Sequence, residues 1–465
     1  MSQLPRGWEF IQLKELIILN KKFKDLEDDL DCGFVPMANV PTKLNEKLTY
    51  ESRKWGDCKK GFTHFQNGDV LLAKITPCFE NGKSVLVTDL PNGIGAGSTE
   101  YFVMRPNGID SRYLHAFVKT KEFVDSCKVH MSGSVGHKRV PKDYLLNYMV
   151  PVAPENDQKR IADKLDSILA KVEAAQARLD KIPTILKRFR QSVLAAATSG
   201  ELTKDWREEN DFEFPRLDDI DSYWKEQFLK QNRKFKSYTS HTEDTNDIGW
   251  LPSKLGSICD VHVGSTPKRT EPSYWNGDVK WVSSSEVAFC EIFDTKETIT
   301  IKGLENSSTK LHPSGTVMLA MIGQGKTRGQ PAILRTEACH NQNTAALRIP
   351  EYHLLPEYLY YLLWERYEET RKIGAGNNQK ALNKATVQSI DINLPPLDEQ
   401  KIIVQKVEQL FEQAGTVEKQ YNAAKARLDK LTQSILAKAF RGELLSNDTL
   451  NVENEINQSK VEVSL

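Results

Sequence analysis

The sequence predicts an α+β chain in which two tandem mixed α/β units, related by a pseudo-two-fold internal repeat, are separated by a long antiparallel coiled coil. Three observations predict it. The first is self-similarity, which marks a duplicated supersecondary unit. "VAPENDQKRI" (Val152 to Ile161) matches "LPPLDEQKII" (Leu394 to Ile403), and "QSVLAAATSGEL" (Gln191 to Leu202) matches "QSILAKAFRGEL" (Gln433 to Leu444). Both pairs share one shift of 242 positions, Gln158 to Gln400 and Gly200 to Gly442, which also relates Gly7-Trp8 to Gly249-Trp250.

The second observation is a heptad stripe in each copy. Ile161, Leu165, Ile168, Val172, Ala175, Leu179, Ile182, Leu186, Phe189 and Val193 alternate four and three apart; so do Ile403, Val407, Leu410, Ala414, Val417, Tyr421, Ala424, Leu428, Leu431 and Ile435. A sustained 3.5-residue period with polar residues between is a coiled-coil seam. Each helix is expected to run about 40 residues, roughly 60 Å at 1.5 Å per residue. Pro183 predicts a kink in the first, and Gly200 and Gly442 predict C-terminal caps. One globular unit leads into each helix, so an antiparallel pair would place those units at opposite ends.

The third observation is composition inside the units. Residues 1–150 and 248–393 hold short β-branched runs ("DVLLAKI", "KSVLVTDL", "EYFVMRP", "TVMLAMI", "TAALRIP") broken by Gly, Pro and Asn turns, each followed by a helical stretch. Tyr358, Leu359, Tyr361, Leu362 and Trp364 read as core. The remaining boundaries are a heptad helix at 151–202, an acidic linker at 203–247 with one amphipathic helix around 220–235, a second heptad helix at 394–444 and a polar tail at 445–465.

Composition excludes several classes. The 63 Lys and Arg balance 63 Asp and Glu, so the chain is no polycation, although a neutral total can hide a basic face. Seven scattered cysteines with no C-x-x-C spacing fit neither a disulfide framework nor a zinc site. No run approaches the ~20 apolar residues of a membrane span, and the start "MSQLPRGWEF" lacks a signal-peptide pattern. A soluble cytoplasmic protein is expected.

One motif needs separate treatment. "AMIGQGKT" (Ala320 to Thr327) is one residue away from the phosphate-binding pattern G-x-x-x-x-G-K-[ST]. The repeat sets it against "GDVLLAKITPCFENGKSVLV" (Gly68 to Val87), which also ends in Gly-Lys-Ser after what reads as a longer loop. A phosphate cradle needs a fixed loop length and a following helix, and Gly329 and Pro331 would break that helix. A nucleotide hydrolase is therefore the remote alternative.

These motifs, in this order and twice, resemble the specificity subunits of type I restriction-modification systems, over nearly the whole chain. "LPRGWEFIQLKEL" is similar to the entry to the first target-recognition domain of that family, and "GSTPKRTEPSYWNGDVKWVSSSEV" to a frequent opening of such a domain. "GAGNNQKALNKATVQSIDINLPPLDEQ" is similar to the usual end of one, and "LKRFRQSVLAAATSGELTKDWRE" to the central segment of the enterobacterial-type subgroup. The first copy ends in a variant form, with His137-Lys138 where Gln379-Lys380 stands in the second. The resemblance implies that each unit reads one half of a split site in double-stranded DNA. It also implies that the helices dock two modification (methyltransferase) subunits, which restriction (translocase and nuclease) subunits then join. No cofactor is then expected on this chain; S-adenosylmethionine, ATP and magnesium would serve the partners, and no membrane is involved. The chain agrees by absence, with no methyltransferase N/D-P-P-Y/F motif, no complete phosphate-binding loop and no nuclease carboxylate cluster. The alternative of another class is a coiled-coil scaffold that sequesters modification subunits.

Reading DNA takes phosphate-positioning cations and base-edge readers, and loops with flanking glycines can approach a duplex closely. The candidates in the first unit are Lys74, Asn81, Lys83, Ser134, His137, Lys138 and Arg139. In the second they are Thr266, Lys268, Arg269, Gln324, Lys326, Arg328, Asn377, Asn378, Gln379 and Lys380. Lys83 with Lys326, and Lys138 with Lys380, lead as equivalent positions. His137 is expected to be a hydrogen-bonding loop histidine; no catalytic or metal-binding residue is expected.

Overall fold

The computed structural model describes residues 4–134, 136–238, 245–323, 325–373 and 381–445. The chain forms two compact units, Met1–Ile182 with Val417–Leu465, and Pro183–Thr416. Each unit thus combines one globular repeat with a segment of both heptad stripes.

Unit 1 contains β1 (Glu9–Gln12), β2 (Ile17–Leu19), β3 (Asp31–Val35), β4 (Glu51–Lys54), β5 (Thr63–Gln66), β6 (Val70–Ala73), β7 (Ser84–Leu86), β8 (Ile94–Gly97), β9 (Tyr101–Pro106) and β10 (Met149–Val152). They form an antiparallel sheet β2-β9-β6-β7, a sheet β4-β3-β8-β5 whose β3–β8 pair is parallel, and a β1–β10 ribbon. Unit 2 contains β11 (Leu251–Lys254), β12 (Asp260–Val263), β13 (Trp275–Val282), β14 (Cys290–Ile292), β15 (Glu297–Ile299), β16 (Val317–Ala320), β17 (Pro331–Leu334), β18 (Cys339–His340), β19 (Thr344–Arg348) and β20 (Asp391–Leu394). The same plan recurs as β12-β19-β16-β17-β14, as β15-β13-β18 with β13–β18 parallel, and as the β11–β20 ribbon.

Two-residue alternation explains why β16 is apolar throughout. Val317 and Leu319 pack toward Tyr358, Leu359 and Leu362, while Met318 and Ala320 pack toward Val282, Ile292 and Ala332. Both faces are covered, as a continuous Val/Leu run requires.

The Gly-Lys motifs lie in the hairpins β6–β7 and β16–β17, and the strand register corrects the sequence reading there. Ala73 and Ala320 end the first strands, and their N–H groups donate to Lys83 O and Gln330 O, both at 3.0 Å. The connecting loops 74–83 and 321–330 therefore have equal length. Lys83 stands opposite Gln330 in this scheme, so Lys83 and Lys326 are not equivalent positions. A strand rather than a helix follows each motif, so the backbone donors of a nucleotide site are not assembled.

The shared "D/E-Q-K" motif joins each globular repeat to its helix. Gln158 is buried; its Oε1 accepts from Asp110 N (2.8 Å) and its Nε2 donates to Ala153 O (2.8 Å). Gln400 does the same with Leu355 N (2.8 Å), Pro395 O (2.9 Å) and His353 O (2.9 Å). Asp110 and Leu355 are the N-caps of helices Ser111–Val118 and Pro356–Glu365. Those helices tie back to the ribbons, Tyr113 Oη to Pro151 O and Tyr358 Oη to Asn393 O, both at 2.8 Å. A buried amide has to satisfy both its donor and its acceptor, which explains glutamine at both positions.

Most of each heptad stripe is buried, with Ile161, Val407, Ala414 and Ile435 at 0% exposure, while Ala175, Phe189, Leu410 and Val417 are half-buried. In unit 1 the pairing is antiparallel. Phe440 packs on Tyr113 (4.8 Å between centroids) near the start of helix Glu155–Leu179, while Lys425 lies 3.9 Å from Asp180 at its end. In unit 2, Lys406 Nζ donates to Leu202 O (3.0 Å) and Thr203 Oγ1 to Glu399 (2.6 Å). The end of one helix is thereby set beside the start of the other. The second stripe is one helix, Leu397–Phe440. The first is broken into Glu155–Leu179 and Ile182–Ser199, because Pro183 fits only a first helical turn. Gly200 (φ +84°) and Gly442 (φ +76°) supply the left-handed turns that end the stripes.

The described part of segment 203–247 carries the expected amphipathic helix and packs onto unit 2 rather than lying in solvent. Its helix Leu217–Lys230 buries Leu217, Ile220 and Trp224 in the core of unit 2, and Trp224 Nε1 donates to Ile258 O (2.8 Å). Among the described residues, no helix is long and apolar enough to cross a membrane.

Candidate nucleic-acid interface

In unit 1 the hairpin loop 74–83 is met by the segment following helix Lys121–Val129. Val140 N donates to Lys74 O, Thr76 N to Lys138 O (both 2.9 Å), and Lys138 N to Thr76 Oγ1 (3.1 Å). Ser132 and Arg139 exchange backbone hydrogen bonds at 2.8 and 3.0 Å, and His137 N donates to Ser134 O. These bonds bring Lys74, Ser134, His137, Lys138 and Arg139 together, with all but Lys74 exposed. Arg139 grips Glu100 with both arms (2.8 and 3.0 Å). That hydrogen bond, with the charges of Arg139, Lys74 and His137, holds the Glu100 carboxyl below its usual range. Two permanent cations, Arg139 and Lys74, thus act on one carboxylate, and with Lys138 beside them the loop cluster stays net positive. Asn81 is exposed on the same loop.

Lys83 points elsewhere. Its ammonium donates to Met37 O (2.8 Å) and Ala38 O (3.3 Å), committing it to the scaffold. Lys119, absent from the sequence-based candidates, donates to Gly82 O (2.7 Å) and Thr42 O (2.9 Å), and burial pulls its ammonium down to about 7. The two lysines hold the loop from beneath, and carbonyl oxygens as their partners left no pattern in the sequence.

In unit 2, Leu382 N donates to Met321 O (2.9 Å), the counterpart of the Val140–Lys74 bond. Met321 N donates to Asn343 O (2.8 Å) and Thr266 Oγ1 to Gln342 Oε1 (2.6 Å), so Thr266 adjoins the base of the second hairpin loop. Lys326 and Lys268 are exposed. Arg269 is engaged: Glu297 takes both its arms, and its guanidinium lies 3.8 Å from the Trp275 ring centroid, a strong cation–π arrangement. Arg328 donates to Arg371 O. Gln324, Asn377, Asn378, Gln379 and Lys380 lie outside the described residues, so the pairing of Lys138 with Lys380 has no structural counterpart here.

Beside this face, unit 2 buries His312 and His340 (1% exposed each) with their Nε2 atoms 3.2 Å apart. His340 Nδ1 bonds Thr344 Oγ1 (2.8 Å), and His312 Nδ1 has no partner among the described residues. His262 lies tilted against His312, ring centroids 5.1 Å apart, and bonds Asp260 (2.8 Å). Among the described residues, no group of three or more His, Cys, Asp or Glu is placed to hold a metal ion. Burial pushes His340 down to about 4 and His312, with help from the charges of its histidine neighbours, to about 2. The unfolded imidazoles take protons below their ordinary 6.5, while the folded ones still refuse them. Stability is therefore full above that pH and falls on acidification by about 1.4 kcal/mol per pH unit for each histidine. His340 stops contributing to the slope near pH 4, and His312 near pH 2. Urea midpoints at pH 7, 6 and 5 should decline accordingly, and His312→Gln should make the decline shallower.

A β-rich repeat with a cationic two-segment loop, stitched by glutamine to an antiparallel helix pair, and present twice, defines a protein built from two copies of one unit. The sequence profile described as "Type I restriction modification DNA specificity domain" matches residues 5–184 and 247–426, one match per repeat. The chain belongs to that family of type I specificity subunits. It is 32% identical over 457 residues to the Escherichia coli type I restriction enzyme EcoDI specificity subunit, covering 95% of this chain and 90% of that one. The E. coli EcoEI subunit is 34% identical over 210 residues, which span 44% of this chain and only 35% of the relative. Among solved structures, the HsdS subunit from Thermoanaerobacter tengcongensis superposes with a TM-score of 0.58 at 19% identity, covering 95% of this chain and 98% of that one. A chain from a study of complex assembly and conformational transition of the type I R-M system gives 0.66, also at 19% identity, covering 95% and 100%. At that identity the likeness is one of fold.

Proposed function

We propose that this chain recognises a bipartite, asymmetric DNA sequence, each unit reading one half, and directs two modification subunits and their restriction subunits to it. The observation that carries this reading is the duplication of the loop pair: in both units a β-hairpin loop is hydrogen-bonded to a second segment, and each pair presents exposed cations, Lys138 and Arg139 on the second segment of unit 1 and Lys326 on the hairpin loop of unit 2. Phosphate contacts from such loops give affinity and register, and base-edge contacts give sequence preference. The paired helices are the docking surface for the modification subunits. In this reading the chain has no catalytic role, acts in the cytoplasm, and leaves S-adenosylmethionine, ATP and magnesium to its partners.

The test is selection from a random duplex pool by this chain assembled with two modification subunits. A split consensus, with adenine methylation confined to it, is the expected result. Equal recovery of all duplexes would refute recognition and leave the scaffold alternative. Lys326→Ala in the same complex should reduce the slope of log affinity against log salt by about one if its contact is to phosphate. If it reads a base edge, it should cost about 1–3 kcal/mol of discrimination in one half-site only.

A further inference from the structure

The hairpin loop of unit 2 is held by two side chains of one short helix, Tyr367–Lys372. Tyr367 Oη donates to Lys326 O, and Arg371 Nη2 donates to Gly325 O at 3.0 Å. The loop answers through Arg328, which donates to Arg371 O. Tyr367 itself is fixed by an edge-on contact with Phe289 (4.9 Å) and by the Arg371 guanidinium 5.3 Å from its centroid. The other arm of Arg371 lies 3.9 Å from Glu368. Gly329 packs directly on this pair; a Cβ there would come within 3.4 Å of Tyr367 and 3.5 Å of Arg371.

In a trans peptide the oxygen and the hydrogen point in opposite directions. Drawing the oxygens of Gly325 and Lys326 toward the helix therefore turns the N–H groups of Lys326 and Thr327 away from it. Those two donors and the exposed Lys326 ammonium form a compact set suited to acceptors on a duplex, either phosphate or base edge. Unit 1 holds its loop with different chemistry, through Lys119 on Gly82 O, and there the following N–H, that of Lys83, donates within the loop to Cys78 O at 3.1 Å.

We propose that Tyr367 and Arg371 are positioning residues for DNA discrimination by unit 2, acting through the peptides of Gly325 and Lys326 without touching the duplex. This rests on the DNA-recognition reading above. A loop that is free to turn its peptides spreads its donors over many orientations, and preorganisation is what makes them selective.

The experiment compares Tyr367→Phe, Arg371→Ala, Lys326→Ala and the Tyr367→Phe/Lys326→Ala double variant in the assembled complex. It measures affinity for the selected duplex, for a duplex altered in the half read by unit 2, and for one altered in the other half. Each positioning variant should lower the preference in the unit 2 half about tenfold, leave the other half unchanged and keep the salt slope of the parent. In the Lys326→Ala background, Tyr367→Phe should cost less than it does in the parent, because one of the three donors it orients, the ammonium, is gone while the two backbone N–H groups remain. Tyr367→Phe retains the ring packing, so folding is preserved, and Arg371→Ala gives an independent reading.

Unchanged preference in both variants would overturn the proposal. So would fully additive effects in the double variant, or a slope reduced by one in Arg371→Ala, which would make Arg371 a phosphate contact. A parent complex with no preference at all would instead defeat the recognition reading itself.

Discussion

Replacing Glu399 by alanine should destabilise unit 2 by about 3–5 kcal/mol, the range for removing one partner of a buried ion pair. Glu399 is 0% exposed and accepts from Thr203 Oγ1 (2.6 Å), from Trp250 Nε1 (2.8 Å) and from the Arg207 guanidinium. Arg207 also donates to Gly200 O (2.6 Å), the residue that ends the first stripe. One carboxylate thus joins the start of the last helix, the end of the first stripe and the tryptophan that opens the second repeat. Without it a buried cation and an indole N–H lose their acceptor together. Glu399→Gln should cost less than alanine, since its carbonyl still accepts one or two of these bonds. Hydrogen exchange resolved by peptide is the appropriate measurement, because two units need not unfold as one. Protection should drop across 183–416 and hold in the β-sheets of unit 1.

Asp69→Ala should have an effect of the same size on the other unit. Asp69 is 0% exposed, and Arg105 forks onto both its oxygens at 2.9 Å, while Gln66 N donates to Oδ2 at 2.8 Å. The carboxylate fixes the turn between β5 and β6 and ties it to β9. The bidentate fork is the strong form of this contact, and its side chains are 1% and 12% exposed. Alanine leaves Arg105 largely buried and unpaired, at a cost of about 3–5 kcal/mol. Exchange should rise throughout the β2-β9-β6-β7 sheet. Loss of protection in unit 2 instead would mean that this pair does not act locally.

The parts of the fold legible in the sequence are those whose physics is periodic or repeated. The 3.5-residue stripes, the capping glycines and the duplicated "QK" motif each express a local rule, and all three appear where the rule places them. What stayed hidden depends on strand register or on backbone oxygens. Matching Gly82-Lys83-Ser84 to Gly325-Lys326-Thr327 follows the letters, but the hairpins count residues from Ala73 and Ala320, which sets Lys83 against Gln330. Lys119, Tyr367 and Arg371 act on carbonyl groups, which every residue carries, so no spacing could have revealed them. The helix Leu217–Lys230 looked like part of a linker because its acidic face dominates the composition. Its amphipathic pattern was legible, but not that its buried face, Leu217, Ile220, Asp221 and Trp224, docks into the core of unit 2.

The most direct test of the central claim, that each unit independently reads half of a split DNA sequence, is exchange of residues 1–150 for the matching stretch of another family member. The hybrid is assembled with modification subunits, and its selected sequence is compared with that of the parent. The expected result is a changed sequence in one half, with the other half and the separation between the halves retained. A selected sequence altered in both halves, or no selected sequence in either protein, would contradict it.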